Sequence, residues 1–193
     1  MKTHIETAWR IMDSADLICS EETVQHAISD LANHITADLR QRFPLVITVM
    51  NGGMMFAGHL LPKLNFPLSC DYIHATRYNN STHGSDTINW IAMPAEPVKD
   101  RFILLLDDIL DEGYTLAAIR EKLLAMGASH VACAVLTNKD TGHQKPVTAE
   151  YVGLQIPNRY VFGCGMDVHG AWRNLPAIYA MRETAAPATQ PES

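Results

Sequence analysis

The sequence predicts an α/β protein built on an open, mostly parallel sheet flanked by helices. Three observations carry that prediction. Short apolar runs, LVITVM (45–50), RFILLLDD (101–108) and HVACAVL (130–136), have the length and composition of strands covered on both faces. Stretches with helical spacing precede or separate them. Polar, glycine-containing turns lie where the first two of these strands hand over to a helix, as strand–turn–helix units require. With 193 residues, 47% of them hydrophobic, the chain can bury one sizeable core, so a single domain is expected over 1–182.

The elements follow in order. THIETAWRIMDSADLI (3–18) has a helix-like pattern with early acids and no secretory apolar region. Ser20 with Glu21 and Glu22 makes a good helix N-terminus, and Val24, Ala27, Ile28, Leu31, Ile35 and Leu39 recur at helical spacing until Pro44. The strand 45–50 feeds Asn51-Gly52-Gly53 and then the helix-like MMFAGHLLPKL. LSCDYIHATRY (68–78) alternates roughly as a strand, NNSTHGSD (79–86) reads as a loop, and TINWIAM (87–93) can return as its hairpin partner. The run 101–108 is a central parallel strand. YTLAAIREKLLAMGA (114–128) is a helix with Leu116, Ile119, Leu123 and Leu124 on one side and Gly127 at its end. After the strand 130–136 come three short strand-like pieces, YVGLQI, YVFGCGMD and LPAIYAMR, and a compositionally disordered tail, 183–193.

Composition excludes several classes of function. A net charge of −6, a pI near 5.8 and the lack of a basic stripe speak against a nucleic-acid surface. The apolar stretches are too short to span a bilayer, so no membrane role is expected and the chain reads as cytoplasmic. Cys19, Cys70, Cys133 and Cys164 are scattered without C-x-x-C spacing, which disfavours structural zinc and disulfides; Cys133 reads as a buried small thiol. Nine histidines form neither H-x-x-x-H nor H-E-x-x-H.

In an open α/β sheet, ligands bind beyond the carboxyl ends of the strands, and both unusual loops, 51–53 and 107–115, sit there. DDILDEGYT crowds Asp107, Asp108, Asp111 and Glu112 into six residues. Such like charges are costly unless a cation, hydroxyl donors or a held proton offsets them. Gly113 would let backbone N–H groups converge at the next helix, where Thr115 adds a hydroxyl: a phosphate cradle without the lysine of a Walker loop. A lone Asp-x-Gly-x-Thr reads as a capped helix with solvated acids. The pair Asp107-Asp108 directly after a buried strand shifts the balance, because a cap does not need it.

An apolar run followed by DDILDEGYT resembles the phosphoribosyl-pyrophosphate (PRPP) signature of type I phosphoribosyltransferases. Four further segments resemble the hypoxanthine-guanine phosphoribosyltransferases: VMNGGMMFAGHLL (49–61), RYNNSTHG (77–84), VLTNKD (135–140) and IPNRYVFGCGMDVHGAWRNLPAIYAM (156–181). The likeness runs colinearly over about 20–182. It implies a type I phosphoribosyltransferase fold, with a core at about 40–150 and a small hood from 1–39 and 151–182. It implies transfer of 5-phosphoribosyl from PRPP to N9 of hypoxanthine or guanine, giving IMP or GMP and pyrophosphate, with Mg²⁺ as cofactor and a homodimer or homotetramer as the assembly.

By the same resemblance, Asp107 and Asp108 bind the ribose hydroxyls directly or through Mg²⁺, and Asp111 manages the purine N7 proton. The 5′-phosphate falls to Asp111, Gly113, Tyr114 and Thr115. Glu112 stands where relatives often carry Thr and receives no binding role. Asn51, Gly52 and Gly53 would approach pyrophosphate after a cis peptide at Met50–Asn51, although Asn51 replaces a common lysine. Arg173 joins them on pyrophosphate, and Asp167 on the metal. Lys139 would donate to purine O6, Tyr160 would stack on the base, and Val161 would read it through its backbone. Arg77-Tyr78 would open a mobile catalytic loop, with Tyr78 the better match. Three rivals remain: a xanthine-preferring enzyme, a non-catalytic regulator on the same fold, and an unrelated α/β nucleotide-binding protein whose acids chelate a metal.

Overall fold

The structure, a computed structural model, describes residues 2–78 and 87–182; of Lys2, Thr3, Tyr78 and Thr87 it describes the backbone alone. The expected loop 79–86 and the tail 183–193 lie outside the described residues. Strands are β1 Asp16–Cys19, β2 Leu45–Met50, β3 Ser69–Tyr78, β4 Thr87–Ala92, β5 Phe102–Leu110, β6 His130–Lys139, β7 Tyr151–Ile156, β8 Val161–Phe162 and β9 Ile178–Ala180. Helices are α1 Lys2–Ser14, α2 Glu21–Leu39, α3 Gly53–Leu60 and α4 Tyr114–Ala125.

Six strands form the main sheet in the order β4-β3-β2-β5-β6-β7. All neighbours are parallel except the hairpin partner β4, which runs antiparallel to β3. The continuous apolar run in β5 has a plain cause. Ile103, Leu104, Leu105 and Leu106 are fully buried, with Leu104 and Leu106 facing α2 and α3 and Ile103 and Leu105 facing α4. Each such side chain contributes about 1.5–3 kcal/mol when taken out of water. α2 starts where the sequence places it: the Ser20 Oγ accepts from the Thr23 N–H at 3.2 Å. α3 and α4 lie on opposite faces: from β2 the chain steps outward to β3 and from β5 it steps the other way to β6, so the winding order reverses between these two parallel strands. The ends of those two strands therefore open a crevice.

A second, antiparallel sheet, β1-β9-β8, sits apart from the main one. The segments expected in the hood divide between layers: β7 is an edge strand of the main sheet and α2 packs on the core, whereas β1, β8 and β9 make the small sheet.

Several element expectations need correction. The helix expected over 3–18 stops at Ser14; Leu17 pairs with Tyr179 in β1, and this turns Ile18 and Cys19 against the core. β5 runs two residues past Asp108, and β6 runs three past Leu136, because each satisfies the other's backbone: Ile109 pairs with Thr137 and Leu110 with Asn138. Ile109, Leu110 and Lys139 are thus strand residues beyond the expected ends. Leu124 is 46% exposed and leaves the apolar face of α4 to Leu116, Ile119 and Leu123. In YVFGCGMD only Val161–Phe162 is strand, since Gly163 and Gly165 take φ of 100° and 107°. Cys133 is buried as read, its thiol pushed up to about 12 by burial and then by the Glu150 charge, and all four cysteines are free. No described helix is long and apolar enough to cross a membrane.

Candidate functional site

At the carboxyl end of β5 two carboxylates stand in succession. Asp108 is 6% exposed and Asp107 half-buried. Their backbones are held: Asp108 N–H donates to Asp107 Oδ1 at 3.0 Å, and the buried Thr137 hydroxyl donates to the Asp108 carbonyl at 2.9 Å. Burial lifts both carboxyls out of the usual range. It pushes Asp108 up to about 6 and Asp107 well upward, where the neighbouring Asp108 charge adds to the effect. Two acids so reluctant to ionise alone are set up to share a positive partner.

The loop after β2 presses its backbone against these acids. The Met50–Asn51 peptide is cis, as the resemblance implied. A side chain at Gly52 would place its Cβ 2.2 Å from Asp108 Oδ2, and one at Gly53 would meet the Leu106 carbonyl at 2.9 Å. Only glycine allows this approach.

Beyond β5, Gly113 takes φ 83° as the N-cap of α4, which turns the chain so that the helix starts at Tyr114. The first N–H groups of a helix have no intrahelical acceptor, so this end offers donors to an anion. The Arg77 guanidinium lies over the Tyr114 ring, 4.4 Å from its centroid. Glu112 pairs with His143 at 2.9 Å, which offsets its charge beside the start of α4. That contact holds the Glu112 carboxyl below its ordinary range and lifts His143 above its own.

Lys139 closes β6 at 9% exposure, and its Nζ donates to Asp111 Oδ2 at 2.6 Å. Lys145 ties the same two strand ends together, donating to the carbonyls of Leu110 and Lys139 at 2.8 and 2.6 Å and to Asn138 Oδ1 at 2.7 Å. Tyr160 offers a ring that is 55% exposed, its hydroxyl donating to the Asp167 carbonyl at 3.4 Å. Arg173 pairs with the Asp167 carboxylate and donates from Nη1 to the Gly165 carbonyl at 2.6 Å.

All but two of the residues expected in the site line a single cavity of about 550 Å³. Gly53 lies just beneath it, packed on β5, and the Tyr78 side chain falls outside what is described. The structure therefore brings together Asp107, Asp108, Asp111, Gly113, Tyr114, Thr115, Asn51, Gly52, Lys139, Tyr160, Val161, Asp167 and Arg173. Sequence reasoning passed over Thr137, His143 and Lys145. Thr137 lies within VLTNKD but was given no role, His143 and Lys145 belong to no motif, and only the alignment of strand ends joins them to the site.

Among the described residues no group of three or more His, Cys, Asp or Glu could cage a metal. Two adjacent carboxylates at the wall of an open cavity nonetheless fit Mg²⁺, which binds through one or two carboxylates and completes its shell with water and substrate oxygens.

Residues 20–169 match the phosphoribosyl transferase domain family. The chain is 30% identical over 170 residues to the hypoxanthine-guanine phosphoribosyltransferase of Bacillus subtilis (strain 168), covering 88% of this chain and 94% of that protein. A hypoxanthine phosphoribosyltransferase from Staphylococcus aureus superposes with a TM-score of 0.83 at 25% identity, over 89% of this chain and 94% of that one. A hypoxanthine-guanine phosphoribosyltransferase from Bacillus anthracis, with HEPES in its active site, does so with 0.80 at 28%, over 86% and 98%.

Proposed function

Since the chain belongs to the phosphoribosyltransferase family, we infer that it is a purine-salvage enzyme, a hypoxanthine-guanine phosphoribosyltransferase. It transfers 5-phosphoribosyl from PRPP to N9 of hypoxanthine or guanine, giving IMP or GMP and pyrophosphate. The observation that carries this reading is the Lys139–Asp111 pair, 2.6 Å apart, in one cavity with the phosphate cradle of α4 and the exposed face of Tyr160.

The chain's residues divide the work. Helix-start amides from Tyr114 and Thr115, with the Thr115 hydroxyl, hold the 5′-phosphate. Asp107 and Asp108 orient the ribose through its hydroxyls and would hold Mg²⁺, with Asp167 on the pyrophosphate side. The metal, when bound with PRPP, supplies positive charge beside the departing pyrophosphate. The Asn51–Gly53 backbone and Arg173 hold that same group as the C1–O bond breaks and negative charge builds on it. Tyr160 stacks on the purine, a contact worth about 1–3 kcal/mol by analogy with other bases.

Lys139 donates to purine O6, and Asp111 accepts the N7 proton as N9 bonds to C1. Adenine presents an amino donor where O6 would be, so donor faces donor. A site built on one specific hydrogen bond rejects such a mismatch by roughly 10⁴-fold or more. Tyr78 belongs to the segment that covers the reaction and excludes water. We take the working assembly to be a homodimer or homotetramer in the cytoplasm.

Pyrophosphate release from PRPP and Mg²⁺, measured separately with hypoxanthine, guanine, xanthine and adenine, tests the reading. Turnover with the first two and none with adenine is expected. Dominant xanthine turnover would reassign the base, and silence with every base would remove the catalytic reading.

A further inference from the structure

We propose that α1 braces the pyrophosphate side of the site, with Trp172 as the positioning residue that passes this hold to Arg173. The proposal rests on the assignment of Arg173 to pyrophosphate made above. α1 lies outside residues 20–169, the part matched to the family, and it carries none of the groups given a role in the reaction.

Trp172 has φ 69°, in the left-handed region that a bulky side chain rarely occupies, so its neighbours must hold it there. They do so from the side of α1. The Trp172 indole Nε1–H donates to the Ala8 carbonyl at 2.9 Å, and the Trp9 ring meets the Trp172 ring edge to face, centroids 4.9 Å apart and planes at 73°.

The next residue faces the cavity. Arg173 donates from its side chain to the Gly165 carbonyl at 2.6 Å and pairs with Asp167, while the Gly165 N–H donates to the Arg173 carbonyl at 2.9 Å. Gly165 in turn lies against the Gly52 carbonyl of the pyrophosphate loop. The turn bearing Arg173 is thus gripped on its outer side by α1 and on its inner side by the site. Arg173 is a long side chain with many rotamers, and its reach to an anion depends on where its own backbone is held.

Full-length Trp172→Phe removes the indole donor while keeping a ring. Trp9→Ala removes the edge contact from an exposed position and leaves the turn's own sequence intact, so it serves should the first variant fold poorly. Each is compared with wild type for KM of PRPP, KM of pyrophosphate in the reverse reaction, KM of hypoxanthine, and IMP affinity by calorimetry. KM for PRPP and pyrophosphate should rise roughly tenfold. The hypoxanthine and IMP values should hold, because neither molecule carries a pyrophosphate. Trp9→Phe, which keeps an aromatic edge, should behave as wild type.

Unchanged pyrophosphate kinetics in both variants would overturn the proposal. Equal losses for IMP and pyrophosphate would also overturn it, since Trp172 would then be a general structural support. A wild-type protein that releases no pyrophosphate with any base is a different result, and it removes the functional assignment itself.

Discussion

Replacing Gly165 with alanine should disable the pyrophosphate side of the site while leaving the purine side readable. The added Cβ would sit 2.1 Å from the Gly52 carbonyl oxygen and 3.1 Å from Asp108 Cβ, at a residue whose φ is 107°. The first contact is with backbone, so no rotamer relieves it. To clear even a tight contact the two segments must part by roughly 1 Å. The strained backbone costs about 1–3 kcal/mol and the overpacking about as much again, a loss on the order of 2–6 kcal/mol. For a domain of this size each kcal/mol lowers Tm by about 2–4 °C, so calorimetry should show a fall of at least about 4 °C. Displacement of a catalytic group by 1 Å can cost about 10²-fold, so kcat/KM for PRPP should fall by that order. Hypoxanthine KM should change less, because Lys139 stands on β6, and Tyr160, although tied to Asp167, lies ahead of β8 and outside the turn that Gly165 occupies. An alanine variant with wild-type Tm and wild-type PRPP kinetics would refute the claim that the Gly165–Gly52 contact holds the loop in place.

Three other outcomes follow from the same geometry. Asp111→Asn keeps an oxygen acceptor for Lys139 but loses the ability to take the N7 proton, so kcat should fall by about 10²–10⁴-fold with IMP affinity far less affected; equal losses in both would count against proton transfer. Lys139→Met removes the proposed O6 donor and leaves Asp111 without its 2.6 Å partner, so hypoxanthine kcat/KM should drop by about 10²-fold or more while the preference over adenine narrows; competition assays with the two bases check this. The third concerns pH. The His143 pKa is raised by its hydrogen bond to Glu112, and the Glu112 pKa is lowered by the same contact. The pair's contribution is therefore present between the ordinary Glu and His ranges and is lost as pH rises through the raised His143 value. Above that pH the Glu112 charge is left beside the cradle, so KM for PRPP should climb on the alkaline side; a Glu112→Gln variant that shows the same climb would sink the explanation.

Much of this protein was legible from sequence because the informative features are local. A strand buried on both faces must be apolar throughout, which marks LVITVM, FILLL and HVACAVL without knowledge of their neighbours. The acids of DDILDEGYT and the glycines at 52 and 53 are conspicuous because their cost is paid within a few residues. A cation, hydroxyl donors or a held proton had to offset such acids, and their place at a strand end favoured a ligand. Ser20 capping α2 is equally local.

Tertiary structure decided whatever depends on which distant segments meet. Leu17 and Ile18 read as helix, yet pairing with β9, some 160 residues away, made them strand. Where β5 ends was settled by β6, since each strand's last residues hydrogen-bond to the other; no local pattern could carry Ile109 and Leu110 into the ladder. Lys145 is an ordinary loop lysine in sequence and becomes a tie only because Leu110 and Lys139 end side by side. The Trp172–Ala8 hydrogen bond spans 164 positions. Residue types and their spacing thus determined the sheet and the chemistry of the cradle, because burial and charge act on each residue where it stands. The distances that turn those residues into a site came from packing, because a contact between segments exists only once the chain between them has folded.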